Sequence, residues 1–187
     1  QPSLILKTHG SNFSILDREN CLKKIKSVKS MFPSDWKLPN VYLFHGDLTD
    51  EGINELYNHP KVKSMVSITH GEGFGRPLLE ASMTGLPIIA SAWSGQLDFL
   101  DEDNCMLIPG ELKQVPKSAH WENIIIPESQ WFNVSENHFH NALKICFEKY
   151  KNFKQKGNKL MKNNRSKFTL NNMSAELDKI MDKYTSS

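Results

Sequence analysis

Two glutamates flank a glycine-rich stretch near the middle of the chain. Seven residues separate Glu72 from Glu80, and Gly73, Phe74 and Gly75 follow the first glutamate directly. Ionised carboxylates accept hydrogen bonds from hydroxyl groups but repel phosphates, so both side chains suit the hydroxyls of a sugar. Glycines allow a backbone to approach a ligand closely. The stretch therefore predicts a site for a sugar-bearing molecule, with Glu72 and Glu80 as its candidate contacts.

The residues after the glycines indicate the start of a helix that faces the same loop. Pro77 suits the first helical turn, three apolar residues supply a buried side, and Gly85 ends the pattern. The free N–H groups and the positive dipole end at such a start favour a phosphate. Arg76 either adds a positive charge to this site or faces solvent.

Strand-like apolar runs alternate with helical patterns along the chain. Five runs predict strands, at residues 4–6, 41–44, 62–68, 86–90 and 106–108. This alternation predicts an α/β, Rossmann-like parallel sheet with helices on both faces. Ligands of such sheets bind at the carboxyl ends of the strands, and the glutamate motif follows a predicted strand directly.

The rest of the chain adds one irregular segment and a helical end. Residues 110–134 are interrupted by prolines and contain Trp121 and Trp131, so we expect an irregular excursion with a short strand at 124–126. Residues 135–187 carry two apolar stripes at helical spacing, which we expect to face the core. We predict one domain over 1–187. The stripes comprise Phe139, Ala142, Leu143, Cys146, Phe147 and Tyr150, then Met173, Leu177, Ile180, Met181 and Tyr184.

Composition excludes several classes of protein. The chain is 39% hydrophobic and 24% charged, and no apolar run is long enough to span a membrane. The net charge of +2 says little about nucleic acid or membranes. The lysine-rich segments do not interleave aromatics with glycines as a single-strand binder would, so we expect no nucleic acid partner. Two lysine-rich segments indicate solvated helix faces, with contact to anionic lipid as the alternative. They contain Lys23, Lys24, Lys26 and Lys29, and Lys149, Lys151, Lys154, Lys156, Lys159, Lys162, Arg165 and Lys167.

The three cysteines and the chain's beginning bear on location. Cys21, Cys105 and Cys146 are widely spaced, which fits neither a disulfide framework nor a zinc site and indicates a reducing, cytoplasmic compartment. The first ten residues lack the features of a signal peptide. Because a predicted strand begins almost at once, we expect the chain to be part of a longer protein.

The motif Gly-Glu-Gly-Phe-Gly-x-Pro-x-x-Glu-Ala, at residues 71–81, resembles the signature of a large family of retaining glycosyltransferases. That family includes sucrose and trehalose synthases and bacterial mannosyltransferases. The resemblance extends over residues 2–184, and its further matches are residues 42–46, 56–57, 85–90, 94–96 and 98–100, with Asn104 and Trp131.

The resemblance implies the C-terminal, donor-binding half of the two-domain GT-B architecture. It implies that Glu80 binds the ribose hydroxyls of a nucleotide diphosphate sugar. It also implies that Glu72 contacts the donor sugar, which makes Glu72 the candidate catalytic residue. The backbone of residues 73–75 and the helix start at Arg76 would cradle the sugar and diphosphate. Such enzymes transfer the sugar to a glycan, polysaccharide or lipid-linked acceptor with retention, mostly without a required metal or cofactor, and electrostatic help to the leaving diphosphate is a large part of catalysis.

Departures from the family pattern leave alternatives open. The arginine and lysine that usually bind the diphosphate would precede Leu4, and the N-terminal domain is missing, so we expect this chain to be inactive by itself. Lys7 either reaches the phosphates or is a surface lysine. Ser94 and Gly95 either touch the sugar or base or form a plain turn, and His70 either assists or is structural.

Two other functions are compatible with the sequence. One keeps the architecture but changes the chemistry, as a GT-B epimerase or phosphorylase. The other is a non-catalytic sugar-nucleotide-binding or partner subunit, which the missing arginine and lysine would fit. We expect a cytoplasmic protein, either free or peripheral at the inner face of the membrane.

Overall fold

The computed structural model describes residues 2–8 and 15–185. The chain divides into two compact units, Gln1–Glu55 and Leu56–Ser187, whereas the sequence indicated no internal boundary. His9 follows the first predicted strand, as either a site residue or a structural one, and Ser14 with Asp17 resembles a helix cap. Both His9 and Ser14 lie outside the described residues. No helix in the described ranges is both long and apolar enough to cross a membrane.

The first unit contains a two-stranded parallel sheet. Strand β1 (Leu4–Thr8) pairs with β2 (Val41–His45), and helix α1 (Ile15–Ser30) connects them. His45, at the end of β2, lies 2.6 Å from an Asp17 carboxylate oxygen on α1. Helix α2 (Asp50–Asn58) begins in this unit and ends in the second.

The second unit contains a three-stranded parallel sheet in the order β3 (Met65–Ser67), β4 (Ile88–Ser91), β5 (Met106–Ile108). Helix α3 (Arg76–Ser82) connects β3 to β4, and a short 3-10 helix (Gly95–Asp98) follows β4. Helices α4 (Glu136–Glu148), α5 (Tyr150–Lys167) and α6 (Leu170–Thr185) complete the described chain. This architecture confirms an α/β fold with parallel sheets flanked by helices, consistent with a Rossmann-like domain.

Strand β4 is buried along its whole length because helices cover both of its faces. Its side chains alternate between the two faces of the sheet, as in any strand. Ile88 and Ala90 pack in a cluster that α3 and α5 supply with Leu78 and Leu160, among others. Ile89 packs in a second cluster, with Ile108, Ala142, Cys146 and Phe153.

Helix α5 is joined to α3 by a buried chain of hydrogen bonds. The Asn164 amide is 3% exposed and donates to Ser82 Oγ over 2.8 Å. Ser82 Oγ in turn donates to the Leu79 carbonyl over 2.6 Å. Gly157 brings α5 so close that a side-chain carbon there would lie 2.8 Å from the Gly85 carbonyl oxygen. The helix that carries Glu80 is therefore held in place by α5.

The segment 110–134 is more regular than the sequence indicated. Strands β6 (Gly110–Gln114) and β7 (Gln130–Val134) form an antiparallel pair, and residues 124–126 form no strand, although Trp121 and Ile125 make an isolated bridge. The prolines at 116 and 127 lie just outside the two strands, where a missing N–H costs no ladder hydrogen bond. The two prolines mark the limits of the hairpin loop. Strand β6 therefore lies before the first proline, and β7 lies after the second.

The apolar stripes of the C-terminal helices are only partly buried. In α4, Ala142 and Cys146 are buried as predicted, but Leu143 and Phe147 are 41% and 70% exposed. The α6 stripe does not pack into the core of the described structure, which corrects our prediction. Its residues Met173, Leu177, Ile180, Met181 and Tyr184 are 51–73% exposed. Helical spacing shows which side of a helix is apolar, but it does not show what covers that side.

Candidate functional site

The glycine-rich loop lies at the carboxyl end of β3, between Ser67 and the start of α3. The loop that carries Trp93, Ser94 and Gly95 follows β4. Because β3 and β4 are parallel neighbours, both loops emerge at the same edge of the sheet. This is the edge at which α/β proteins bind their ligands.

Ser94 binds the backbone of Glu72 on both sides. Its hydroxyl donates to the Glu72 carbonyl over 2.6 Å and accepts from the Glu72 N–H over 3.2 Å. The Gly95 N–H donates to the same carbonyl over 3.0 Å. The Glu72 side chain is half-buried, and its carboxylate makes no hydrogen bond or ion pair with the residues that the structure describes. The main chain of Glu72 is thus fixed while its carboxylate stays available to a ligand.

Ser94 adopts a backbone conformation that normally requires glycine. Its φ of 80° and ψ of −163° lie in a region that side chains disfavour, at a cost of about 1–3 kcal/mol. Such strain persists only where the surroundings impose it, and it clusters at functional sites. Here the three hydrogen bonds to Glu72 impose it. The sequence left a plain turn and a ligand contact open for Ser94 and Gly95, and the structure shows that both residues hold the motif loop.

Gly95 is needed because the motif loop passes directly over it. A Cβ atom at this position would lie 2.0 Å from the Gly73 carbonyl oxygen and 3.0 Å from that of Glu72. No side chain fits such a gap. Gly75, with a φ of 86°, completes the turn into α3 in the left-handed region.

The motif loop and the start of α3, both predicted to cradle a diphosphate, differ in the backbone N–H groups that they leave free. Helix α3 has only seven residues, Pro77 lacks an N–H, and the Leu78 and Leu79 N–H groups donate to the Gly75 carbonyl over 2.9 and 3.1 Å. The helix start therefore offers few free donors. In the described structure the N–H groups of residues 73–75 donate no hydrogen bond, so the loop is the better source of contacts to an anion.

The Phe74 ring anchors the loop to the rest of the unit. Its centre lies 5.2 Å from that of Phe99 and 6.2 Å from that of Phe168, which follows α5. Phe99 and Phe168 also meet edge to face, at 6.0 Å. The ring is 40% exposed, so it both packs on this cluster and keeps a solvent-facing side.

The charge of Glu80 on α3 affects two neighbouring side chains, Arg76 and Tyr57. Arg76 Nε donates to a Glu80 carboxylate oxygen over 2.6 Å, and the Arg76 side chain is 78% exposed. Burial, and then the charge of Glu80, raise the pKa of the Tyr57 hydroxyl above its usual range. Tyr57 was not among the predicted site residues, since a tyrosine in a helix two elements earlier carries no local signal of this proximity.

His70 joins the motif loop to the hairpin. The Phe132 N–H donates to the His70 carbonyl over 3.1 Å, and His70 Nδ1 lies 2.8 Å from the Phe132 carbonyl. A carbonyl can only accept, so Nδ1 donates the hydrogen of this bond. The ring also stacks on Trp131 at 3.9 Å. These contacts give His70 a structural role, and an assisting role at the site stays a prediction.

A buried glutamine lies under the loop. Gln96 is fully buried, and its amide nitrogen donates to the Ser91 carbonyl and hydroxyl, both over 3.0 Å. Its amide oxygen and the Thr69 hydroxyl are buried without a partner in the described structure. A buried polar atom without a partner costs about 1–3 kcal/mol. Neither residue was singled out from the sequence.

Lys7 belongs to the first unit. It lies on β1, where it pairs with Phe44 of β2, and its side chain is exposed. Its role toward phosphates stays a prediction. The sequence allows Trp121 either to stack on a base or sugar or to anchor its loop. In the structure it is 64% exposed near the tip of the hairpin.

Residues 34–123 match the sequence model of a family described as "Glycosyl transferases group 1". The match covers just under half of the chain and includes the whole motif from Glu72 to Glu80 together with the Ser94 loop. It supports the resemblance noted in the sequence, and glycosyl transfer in general. No curated protein matches the chain.

Proposed function

We propose that this chain binds a nucleotide diphosphate sugar and forms the C-terminal, donor-binding half of a retaining GT-B glycosyltransferase. The proposal is carried by the way Glu72 is held, with its main chain hydrogen-bonded and its carboxylate left available. Ser94 and Gly95 fix the Glu72 backbone over 2.6–3.2 Å, and the carboxylate stays without a partner in the described structure. A half-buried carboxylate next to unused loop N–H groups suits a ligand that has hydroxyls beside phosphates.

Each group of the donor has a counterpart at this site. Glu80 accepts hydrogen bonds from the ribose hydroxyls, and Glu72 contacts the donor sugar. The N–H groups of residues 73–75 face the diphosphate, and Arg76 turns from Glu80 toward it when the ribose arrives. Because the Arg76–Glu80 pair is exposed, breaking it costs at most about 1 kcal/mol.

Transfer would depend mainly on electrostatic stabilisation of the leaving diphosphate. Loop N–H groups that are already oriented need no reorganisation when negative charge develops on the leaving oxygen. We propose that the acceptor, a glycan, polysaccharide or lipid-linked molecule, is held by an N-terminal domain outside this chain. Catalysis would need no metal and no cofactor besides the donor.

Calorimetric titration tests the donor site. We would titrate the chain with UDP, GDP and ADP, beside Glu80→Gln and the control Glu128→Gln, which removes the same charge from an exposed residue of the hairpin loop. Hydrogen bonds to a charged acceptor contribute about 1.5–3 kcal/mol, so Glu80→Gln should weaken binding about tenfold or more. The control should bind like the wild type. Binding that is equal in all three proteins would exclude Glu80 from the site.

Binding alone does not separate an enzyme from a non-catalytic sugar-nucleotide subunit. Joining the chain to its N-terminal domain and measuring sugar release from the preferred nucleotide sugar does so. A transferase should lose turnover in Glu72→Gln while it keeps most of its affinity for the nucleoside diphosphate, because Glu72 contacts the sugar. A binding subunit should show no turnover in either form.

A further inference from the structure

Three lysines of α5 line an open groove on the second unit. Lys156, Lys159 and Lys162 follow one another at intervals of three residues, which places them on one side of the helix. Together with Asp103, Asn104 and Asn163 they enclose a volume of about 650 Å³. The groove is concave, unlike a plain solvated helix face.

The charges of this groove are not balanced within the protein. Helix α5 contains seven basic residues and no acidic residue. None of the three groove lysines forms an ion pair within the described ranges, and Asp103 is the one acidic group in the lining. Lysines three residues apart repel each other and destabilise a helix. Lys156 is in addition half-buried, where an unpaired cation is costly.

Three other basic side chains of α5 donate hydrogen bonds to backbone carbonyls, unlike the groove lysines. Lys154 Nζ donates to the Gly85 carbonyl over 2.7 Å, and Arg165 Nε donates to the Met83 carbonyl over 2.7 Å. Lys167 Nζ donates to the Asp98 carbonyl over 3.2 Å. These three hold the helix against its surroundings. The groove lysines make no such contact in the described structure, so their charge is available to an anion.

We propose that this groove binds the phosphate group of a phosphorylated polyol. Three ammonium groups match a doubly charged phosphate. Asp103 would repel a second phosphate and accept from a hydroxyl instead, and the Asn163 amide can serve either group. Asn104 already donates to Asp101 over 2.8 Å, which leaves its amide oxygen for a ligand hydroxyl. A phosphate monoester with neighbouring hydroxyls therefore fits better than a bare polyanion.

The groove is separate from the candidate donor site. Asn104 precedes β5, so the groove lies at the amino end of that strand, whereas the Glu72 and Ser94 loops follow the carboxyl ends of β3 and β4. Parallel strands place these two ends at opposite edges of a sheet. The groove proposal does not depend on the proposed function, and a variant at the candidate donor site serves only as a control in its test.

We would titrate the full chain with ribose 5-phosphate and with inorganic phosphate by heteronuclear NMR. Lys159→Gln with Lys162→Gln removes two groove charges, and Lys144→Gln with Lys151→Gln removes two exposed charges outside it. We expect the groove pair to weaken ribose 5-phosphate binding about tenfold or more, because each charge-assisted hydrogen bond is strong. The control pair should bind within about twofold of the wild type, since exposed charges are screened. Glu80→Gln should bind like the wild type.

Two sources of such a ligand can be told apart. Sedimentation with phosphatidylcholine vesicles that contain phosphatidylinositol 4-phosphate detects a lipid headgroup, and binding of ribose 5-phosphate alone indicates a soluble ligand. Either result supports the site when the groove pair abolishes it and the control pair does not. An equal loss in both pairs, or no binding to either probe, would overturn the proposal, because diffuse attraction would then explain the lysines.

Discussion

Ser94 and Glu72 are joined by a reciprocal pair of hydrogen bonds, in which one hydroxyl serves both the N–H and the carbonyl of the glutamate. Ser94 makes these bonds from a backbone conformation that glycine would adopt with less strain. The strain and the bonds belong together, since the disfavoured φ directs the hydroxyl at the motif loop. Substitutions at Ser94 can separate the two effects.

At Ser94, we expect the glycine variant to be more stable than the alanine variant. Both lose the hydrogen bonds to Glu72, but only glycine relieves the strain, which is about 1–3 kcal/mol. Urea unfolding of Ser94→Gly and Ser94→Ala measures the difference. Both variants should bind nucleotide sugar more weakly than the wild type, because the Glu72 backbone is no longer fixed.

Ser118 is the control position for this comparison between the stabilities of glycine and alanine variants. It is exposed and has no positive φ, so glycine there should be no more stable than alanine. If glycine were also the more stable variant at Ser118, the result at Ser94 would not report on strain.

Gly95→Ala should disrupt the motif loop, whereas Gly73→Ala should not affect stability strongly. The added carbon would lie 2.0 Å from a backbone oxygen at Gly95 but would meet nothing within 4 Å at Gly73. We expect a loss of about 3 kcal/mol or more at Gly95, as in severe overpacking, and a change of less than about 1 kcal/mol at Gly73. Thermal unfolding of the two variants checks this, and similar melting temperatures would contradict the close crossing of the loops.

Arg76→Ala should leave stability nearly unchanged but weaken binding of a nucleoside diphosphate. The ion pair with Glu80 is exposed and contributes at most about 1 kcal/mol, whereas a charged contact to the diphosphate contributes about 1.5–3 kcal/mol. Calorimetry with the diphosphate and with the matching nucleoside separates these effects. The nucleoside should bind no more weakly to the variant, because it lacks the phosphates. Tighter binding of both ligands would instead mean that Arg76 only competes for Glu80.

The buried thiol of Cys105 should make the protein sensitive to alkali. Burial raises the pKa of this thiol from its ordinary value of 9.0 to about 12, and the thiol donates to the Asp101 carbonyl over 2.9 Å. The folded state therefore keeps a proton that the unfolded state has lost. Stability from this group is complete below pH 9 and falls as the pH rises toward 12, by up to about 4 kcal/mol.

Comparison with Cys105→Ala isolates this effect from the lysines and tyrosines that titrate in the same range. The variant should be less stable at neutral pH because of the lost side chain, but its unfolding free energy should fall less between pH 9 and 11. Parallel slopes for the two proteins would show that the thiol is not protonated in the folded state at high pH.

The central part of the second unit could be predicted from the sequence because its signals are local. Apolar runs indicated β4 and β5, and the prolines and glycines around 75–87 indicated a helix between strands. The roles of Ser94, Gly95 and His70 depend on residues 22–62 positions away, and no periodicity reports such contacts. The exposed α6 stripe was missed for a related reason, since an amphipathic pattern does not reveal its partner.

Helix α5 bears on which part of this chain can fold independently. The stretch that matches the glycosyltransferase family ends at residue 123, but Leu160 completes the core beside Ile88, and Asn164 holds α3 through Ser82. A fragment cut to the matching stretch would lose both contacts and expose the apolar face of the sheet. The motif from Glu72 to Glu80 is thus not an autonomous folding unit, and its shape is set partly by residues more than eighty positions further along the chain.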